Sequence, residues 1–184
     1  MKVAYADPPY IGQAKCHYSN DPQCAEVDHA ELIGRLCRDY DAWALSCSST
    51  TLNEVFSYCP NDVRVAAWVK PFASFKPNVN PAYCWEPVVF WHPRKRKRHE
   101  ITVRDWLAES CTMKRGLVGA KSEKFCFWIF DLLNLNRDDE FHDLYPGSGA
   151  VTRAWKIWSN QLKLELISRK IDREQQSLAL TEEL

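Results

Sequence analysis

Short apolar runs alternate with segments of helical periodicity along the chain, and this alternation limits the fold more than any other feature. Five runs have the length and composition of strands: residues 2–6, 42–47, 63–69, 83–91 and 141–145. Helices are predicted after an Asp28–Glu31 capping box and over residues 52–59, 125–135 and 150–160. Strands that alternate with helices indicate an α/β layered fold with a mostly parallel sheet. Pro87 lies within the fourth run and predicts an edge strand or a bulge, because proline cannot donate to a β-ladder.

The composition is that of one globular domain without a membrane span. The chain has 184 residues, 46% of them hydrophobic, and no apolar run approaches the roughly 18 positions that a spanning helix needs. The first residues turn polar too early for a signal peptide, and the eight cysteines form no Cys-x-x-Cys pair, so reduced thiols in a cytoplasmic protein are expected. A zinc site built from Cys16, His17, Cys24 and His29 matches no standard ligand spacing, and no metal is expected.

The tetrapeptide Asp7-Pro8-Pro9-Tyr10 follows directly on the first apolar run. The amino group of an aromatic base is a poor nucleophile, because its lone pair is delocalised into the ring. An Asp7 carboxylate and a Pro8 carbonyl held rigid by two prolines could accept the two amino hydrogens and free that lone pair. The Tyr10 ring could stack on a base rotated out of a duplex. The alternative is an ordinary strand-ending turn, for which Asp and Pro are also common residues.

A second motif, from Asp143 through Tyr145 to Gly147-Ser148-Gly149, joins the last predicted strand to a helix. Glycines at such a turn let the backbone approach a nucleotide-like ligand closely. A lone Gly-x-Gly is weak support, and a purely structural turn is the alternative. If the strands 2–6 and 141–145 are neighbours, their carboxyl ends lie about 4.8 Å apart, and the two motifs meet.

The two motifs together make the chain resemble the S-adenosylmethionine-dependent DNA amino-methyltransferases, in the circularly permuted class where the catalytic motif precedes the glycine motif. The resemblance implies a Rossmann-like methyltransferase fold, with helices on both faces of the sheet, in a single domain over residues 1–184. It implies S-adenosylmethionine as cofactor, DNA as partner and methyl transfer by direct displacement. It also implies adenine N6 ahead of cytosine N4 as acceptor, because this form of the tetrapeptide accompanies adenine chemistry in the family.

The resemblance also extends to residues beyond the two motifs. Lys121 and Phe125 are similar to a Lys-Pro pair and an aromatic residue that cover the cofactor in the family, although Ser122 stands here where proline is usual. Glu165 follows the glycine turn at the interval of the family's ribose-binding acid, if residues 162–166 form a strand rather than a helix. The family's compact phage and bacterial members are the most similar, which implies the cytoplasm of a bacterial or phage-infected host cell.

A dense basic run, Arg94-Lys95-Arg96-Lys97-Arg98, begins a stretch over about residues 93–120 that the resemblance implies to be a small DNA-recognition insertion. Its five cations could contact phosphates, and the alternatives are a solvated loop or a nuclear-localisation signal. So small an insertion indicates a short recognition site, low selectivity or a homodimer. The loop residues Lys70, Phe72, Phe75 and Lys76 could line a pocket for the flipped base, or the two rings could pack in the core.

Two other functions stay open on the sequence. One keeps the methyl transfer and changes the acceptor to RNA or to a protein glutamine; Asp7 at the first position of the tetrapeptide and the order of the motifs argue against glutamine. The other is a catalytically silent subunit that binds DNA or a partner protein with a degenerate cofactor site. The ambiguous tail favours the silent subunit, and the intact Asp7–Tyr10 loop opposes it.

Overall fold

A computed structural model describes residues 1–12, 26–71, 79–110 and 121–161 of the chain. The strands are β1 (Lys2–Ala6), β2 (Ala42–Ser46), β3 (Arg64–Val69), β4 (Trp85–Trp91), β5 (Trp106–Ala108) and β6 (Glu140–Asp143). The helices are α1 (His29–Asp39), α2 (Leu52–Tyr58), α3 (Glu123–Leu132) and α4, which covers residues 150–161. The five strands and four helices expected from the sequence are therefore present, with ends that differ by up to three residues.

The six strands form one sheet in the order β5-β3-β4-β2-β1-β6. The pairs β1–β2, β1–β6 and β3–β5 are parallel, whereas β4 is antiparallel to both of its neighbours, β2 and β3. Five strands therefore point in one direction and β4 points in the other. The carboxyl ends of these five strands lie along one border of the sheet, which we call the carboxyl edge; the opposite border is the amino edge. Neither term refers to an outermost strand of the sheet. Because β4 is reversed, it begins at the carboxyl edge and ends at the amino edge.

Helices cover both faces of the sheet. On one face, alternate strand residues such as Tyr5 and Trp68 pack with Phe125, Ile129 and other apolar residues of α3 and α4. On the other face, the strand residues that point the opposite way pack against the apolar sides of α1 and α2. Inner strands that are buried on both faces lack a polar alternation, which explains the continuous apolar runs in the sequence.

Side-chain caps fix the starts of two helices. Asp28 precedes α1 and accepts a hydrogen bond from the backbone N–H of Glu31 at 2.9 Å. Ser122 precedes α3 and accepts a hydrogen bond from the backbone N–H of Phe125 at 3.1 Å. Serine is a preferred residue at this position, because its hydroxyl satisfies one of the free N–H groups of the first turn. The serine that replaces the family's usual proline therefore has a structural role here.

The predicted edge position of Pro87 is wrong, because β4 lies in the interior of the sheet. Pro87 is opposite Ala67 of β3, whose own N–H turns away from β4 and donates to Asp105. On its other side, the Pro87 carbonyl accepts the N–H of Cys47, one residue beyond the end of β2. The hydrogen bond that proline cannot make therefore falls where the β2 ladder has already ended.

One strand was not predicted. No strand was expected within the insertion at about residues 93–120, yet β5 lies there and pairs in parallel with the end of β3. Its three residues are exposed or half-buried, so they carry little of the apolar signal that identifies a strand. The other strand ends follow the apolar runs closely.

Two further observations concern the whole of the described chain. The described cysteines (Cys37, Cys47, Cys59, Cys84 and Cys126) are free thiols. No helix among residues 1–12, 26–71, 79–110 and 121–161 is long and apolar enough to cross a membrane.

Candidate active site

The two sequence motifs emerge side by side at the carboxyl edge. Strands β1 and β6 are parallel neighbours with Tyr5 opposite Asp143, and the N–H of Leu144 donates to the Tyr5 carbonyl at 2.9 Å. The Asp7–Tyr10 loop follows β1, and the turn at Gly147 follows β6. Ligands of open α/β sheets bind outside the carboxyl ends of such strands. The convergence expected from the sequence is therefore present.

Asp7 faces a buried lysine. The Lys121 ammonium lies 3.1 Å from Asp7 Oδ1, and only 8% of Lys121 is exposed. Two aromatic rings hold this ammonium, because its Nζ lies 4.8 Å from the Trp68 centroid and 5.5 Å from the Phe125 centroid. Burial raises the pKa of Asp7, and the Lys121 charge opposes that rise. Lys121 therefore favours the ionised form of a carboxyl that burial would otherwise protonate.

Glu86, near the start of β4, is a second carboxylate in the site. Its Oε2 accepts a hydrogen bond from the Tyr10 hydroxyl at 2.9 Å and lies 3.8 Å from Lys121 Nζ. Its Oε1 pairs with Lys70, the residue that follows β3. Burial alone would raise the pKa of Glu86, but Lys121 and Lys70 hold it below its usual value. Two carboxylates and two ammonium groups therefore form one network, to which Tyr10 is hydrogen-bonded.

The glycine turn is built from backbone that other residues rarely adopt. Gly147 and Gly149 have φ values of 44° and 71°, in the left-handed region that favours glycine. The N–H of Gly149 donates to the Pro146 carbonyl at 2.6 Å, and Arg153 of α4 donates to the Ser148 carbonyl at 2.7 Å. A Cβ at Gly147 would meet no atom closer than 4.0 Å. Hydrogen bonds within the protein therefore hold the turn in place, while the space beside the Cα of Gly147 is unoccupied by other atoms of the described residues.

Asp143 ends β6 with one of its oxygens unsatisfied. Its Oδ2 accepts a hydrogen bond from the Thr152 hydroxyl at 2.9 Å, whereas its Oδ1 is buried without a hydrogen-bond partner among the described residues. Burial raises the pKa of Asp143, and the Thr152 hydrogen bond only partly offsets this effect. A buried carboxylate oxygen without a partner costs free energy, which a donor on a bound ligand would recover.

The aromatic residues of the site differ in their exposure. Phe125 is fully buried and packs edge-on to Tyr5 at 6.2 Å between ring centroids, with Trp68 on another side at 4.7 Å. Its ring therefore lies in the core beneath Lys121. Tyr145 is half-buried and packs with the core on the α1 side of the sheet. Phe125 supports the site from below, whereas Tyr145 retains a partly accessible ring.

The basic run lies at the amino edge, away from the two motifs. Arg94 forms a bidentate ion pair with Asp139, with N–O distances of 2.7 and 2.8 Å. Asp139 also accepts a hydrogen bond from the Met1 ammonium. Met1 precedes β1 and Asp139 precedes β6, so both mark the amino ends of their strands. The seven residues of β4 place this edge about 20 Å from the carboxyl edge. The structure therefore does not bring the basic run to the site.

Alternate residues of the basic run point into the protein. Besides Arg94, the Arg96 guanidinium donates to the carbonyl oxygens of Asp131 and Ile101. The other three cations, Lys95, Lys97 and Arg98, are exposed. Only these three present their charge to solvent without a strong internal partner.

Sequence reasoning missed Glu86 as a member of the site and named Lys70 only as a possible lining residue of a pocket for the flipped base, not as the partner of a carboxylate. A signal existed for each: Glu86 is the one acid within an otherwise apolar strand, and Lys70 directly follows a strand that ends at the same edge as β1. Four other candidates, Phe72, Phe75, Lys76 and Glu165, lie outside the described residues. So do Cys16, His17 and Cys24, and the described part of the chain holds no cluster of His, Cys, Asp and Glu suited to a metal.

Comparison with solved structures shows the fold. The chain is similar to the crystal structure of the M1.HpyAVI-SAM complex, with a TM-score of 0.60 and 17% identity over 86% of this chain and 78% of that one. It is also similar to the crystal structure of M1.HpyAVI alone, with a TM-score of 0.55 and 15% identity over 86% of this chain and 76% of that one. The mixed α/β sheet with helices therefore matches a methyltransferase fold. No family model and no curated protein matches the sequence.

Proposed function

We propose that this protein transfers a methyl group from S-adenosylmethionine to the exocyclic amino group of a base in DNA. One observation carries the proposal: the Asp7–Tyr10 loop and the Gly147–Gly149 turn leave adjacent parallel strands at the same edge of the sheet. The likeness to a structure solved with S-adenosylmethionine supports the cofactor, because the two chains share the fold in which it is bound. The chemistry of the tetrapeptide supports an amino group as the acceptor, and the resemblance of the sequence supports DNA as the molecule that carries it.

Asp7 and Pro8 act on the target amine in this proposal. The Asp7 carboxylate and the Pro8 carbonyl accept its two hydrogens, which localises the nitrogen lone pair for attack. Tyr10 is anchored through its hydroxyl to Glu86, which leaves its ring face as the stacking surface for the base. Pro9 limits the freedom of the loop between them. Preorganised acceptors that need not reorient during the reaction supply much of the rate enhancement.

The residues around the glycine turn fit the proposed cofactor. The unpartnered Asp143 Oδ1 offers an acceptor, the backbone at Gly147 is open to close approach, and Tyr145 has a partly accessible ring. Ser148 and Gly149 complete the turn, and Lys121 lies beside Asp7 with its ammonium over the Phe125 ring. When bound, the cofactor supplies a methyl group activated by a sulfonium. We therefore assign its binding to Asp143, Tyr145, Gly147, Ser148 and Gly149, together with Lys121 and Phe125.

The order of these elements supports a circularly permuted arrangement. The catalytic loop follows the first strand of the chain, and the glycine turn follows the last described strand. In the sheet the two strands are nevertheless neighbours. Compact domains tolerate such permutation because their chain ends commonly lie close together. We propose that the fold belongs to the circularly permuted class. We also propose that the enzyme is cytoplasmic and of bacterial or phage origin.

DNA contact is proposed for the exposed cations Lys95, Lys97 and Arg98. Their distance from the catalytic loop requires a duplex that extends along the protein from one edge of the sheet to the other. Arg94 and Arg96 hold the base of this loop in place through their internal partners. A homodimer would add recognition surface to so small an insertion, and sedimentation of the protein with and without DNA tests it.

A methyl-transfer assay tests the proposed function. Tritiated S-adenosylmethionine is incubated with duplex DNA, RNA or protein, and labelled DNA is digested to nucleosides that separate N6-methyladenine from N4-methylcytosine. We expect label in DNA, as N6-methyladenine, and its loss in Asp7→Ala with cofactor binding retained. Asp138→Ala is the matched control, because Asp138 is 83% exposed at the opposite edge. Label in RNA or protein instead of DNA, or full activity of Asp7→Ala, would overturn the assignment.

A further inference from the structure

Lys121 lies between two carboxylates that have different tasks. Its Nζ is 3.1 Å from Asp7 Oδ1 and 3.8 Å from Glu86 Oε2, so one ammonium is within reach of both. We infer that Glu86 is a positioning residue that takes Lys121 from Asp7 when the target amine arrives, which releases the Asp7 carboxylate for the reaction. This inference rests on the proposed function and adds a residue to it.

The need for such an exchange follows from what Asp7 has to do. The Asp7 carboxylate keeps free lone pairs beside Lys121, but the ammonium 3.1 Å from Oδ1 offsets its negative charge and so weakens its attraction for the amine hydrogens. Lys121 is buried, so leaving its charge without a partner would be strongly unfavourable. A second carboxylate close by removes that obstacle. Glu86 supplies it from β4, which is separated from β1 by β2 in the sheet.

The surroundings of Lys121 allow the exchange without a large movement. The Trp68 and Phe125 rings lie beside its ammonium and attract it, and Glu86 Oε2 is only 0.7 Å farther from Nζ than Asp7 Oδ1 is, at 3.8 Å against 3.1 Å. Glu86 Oε2 accepts one hydrogen bond, from Tyr10, and a carboxylate oxygen can accept another. Lys70 binds the other oxygen and keeps Glu86 ionised. The same Glu86 oxygen therefore orients the stacking residue and receives the lysine.

Charge balance makes the inference testable. Asp7 and Glu86 carry two negative charges, and Lys70 and Lys121 carry two positive ones. Neutralising Glu86 leaves Asp7 as the only negative charge beside both ammonium groups. The Asp7 carboxyl then ionises more easily, but its ion pair with Lys121 is harder to break. Neutralising Lys121 has the opposite electrostatic effect on Asp7. The two variants should therefore shift the pH dependence in opposite directions. Glu86→Gln should slow the reaction because Asp7 stays paired with Lys121, and Lys121→Met should slow it on the acid side because Asp7 then protonates more easily.

Other titratable groups around Asp7 do not confuse this signature. They come from β1, the catalytic loop, α3 and β6, and are Tyr5, Tyr10, Cys126 and Asp143. Burial raises the pKa of both tyrosines and raises that of the Cys126 thiol to about 12, so these three stay neutral over the acid range. Asp143 titrates at the glycine turn, so its effect should appear in cofactor affinity rather than in kcat at saturating cofactor.

The experiment measures kcat at saturating cofactor and DNA from pH 5 to 9 for the parent, Glu86→Gln and Lys121→Met. For Glu86→Gln we expect kcat about ten- to a hundredfold lower, as for the loss of one charged hydrogen bond in the transition state. On the acid side of the profile, the pH at which kcat falls to half of its maximum (the midpoint of the acid limb) should move to lower pH in Glu86→Gln and to higher pH in Lys121→Met. The double variant, Glu86→Gln with Lys121→Met, keeps one negative charge on Asp7 and one positive charge on Lys70. The factor by which its kcat falls should be smaller than the product of the factors for the two single variants.

Controls separate the possible failures. Glu54→Gln removes a comparable charge from the exposed surface of α2 and should match the parent. Calorimetry with S-adenosylmethionine should give the same affinity for Glu86→Gln as for the parent, which shows that the variant is folded. An active parent with unshifted acid limbs in both variants would overturn the inference and leave the proposed function intact. A parent without methyl transfer to DNA would overturn both.

Discussion

Asp139 offers the sharpest test of how the amino edge is held together. Its side chain is 3% exposed and accepts two hydrogen bonds from Arg94, one from the Met1 ammonium and one from the N–H of Asn136. Burial alone would raise the pKa of Asp139, but these bonds lower it from its ordinary value of 3.8 to about 2. Such a change is linked to about 2 kcal/mol of folding stability at neutral pH.

The sign of the effect fixes its pH dependence. Because the pKa of Asp139 is lower in the folded state, the stabilisation is complete well above pH 3.8 and is lost as the pH falls through about 2. Asp139→Asn should therefore lower the free energy of unfolding by about 2 kcal/mol at pH 7, or the melting temperature by about 4–8 °C. At pH 3 the difference between the two proteins should be about half as large.

Urea unfolding of the parent and Asp139→Asn at pH 7 and pH 3 measures both differences. Asp138→Asn is the matched control, since the adjacent side chain is 83% exposed and its loss should change stability by less than about 0.5 kcal/mol. An Asp139→Asn difference that is the same at both pH values would refute the linkage, because it would show that the charge of Asp139 does not stabilise the fold.

Three further predictions concern single features. Replacing Lys95, Lys97 and Arg98 with glutamine should make the slope of log affinity against log salt concentration shallower, by the equivalent of up to about three phosphate contacts. Fluorescence anisotropy of labelled DNA across salt concentrations measures this slope, and an unchanged slope would remove these residues from the interface. Ser122→Ala should cost about 1 kcal/mol of stability by removing the α3 cap, and Ser122→Asp should restore it; equal melting temperatures for all three proteins would contradict this role. Gly149→Ala should cost about 1–2 kcal/mol, because φ there is 71°, and a melting temperature equal to the parent's would contradict the strain.

The parts of the fold that sequence reasoning predicted are those with a strong local signal. Buried strands such as β1 and β2 are continuous apolar runs, and the Asp28 cap is a local hydrogen-bonding pattern. The adjacency of β1 and β6 is a long-range feature, and it followed from assuming that two motifs with complementary chemistry belong to one site. Chemical reasoning therefore predicted a contact that periodicity could not.

The parts that were missed depend on strand direction and order. Nothing local indicates that β4 is antiparallel, so Pro87 was expected in an edge strand or at a bulge, and the distance of about 20 Å between the basic run and the Asp7–Tyr10 loop was not foreseen. The same reversal brings Glu86 to the carboxyl edge, where it joins Lys70 and Lys121. These three residues are distant in sequence, and their network becomes visible only when the sheet order is known.

The reversal of β4 also has a consequence for substrate length. The strand carries Glu86 at one end and leads to the exposed cations Lys95, Lys97 and Arg98 at the other, about 20 Å away. With a rise of about 3.4 Å per base pair, this separation equals about six base pairs of duplex. Under the proposed function, an oligonucleotide with fewer pairs on that flank of the target base would still reach the Asp7–Tyr10 loop but would fall short of the cations. The proposal therefore sets a minimum length for the DNA that can contact both ends of the sheet at once.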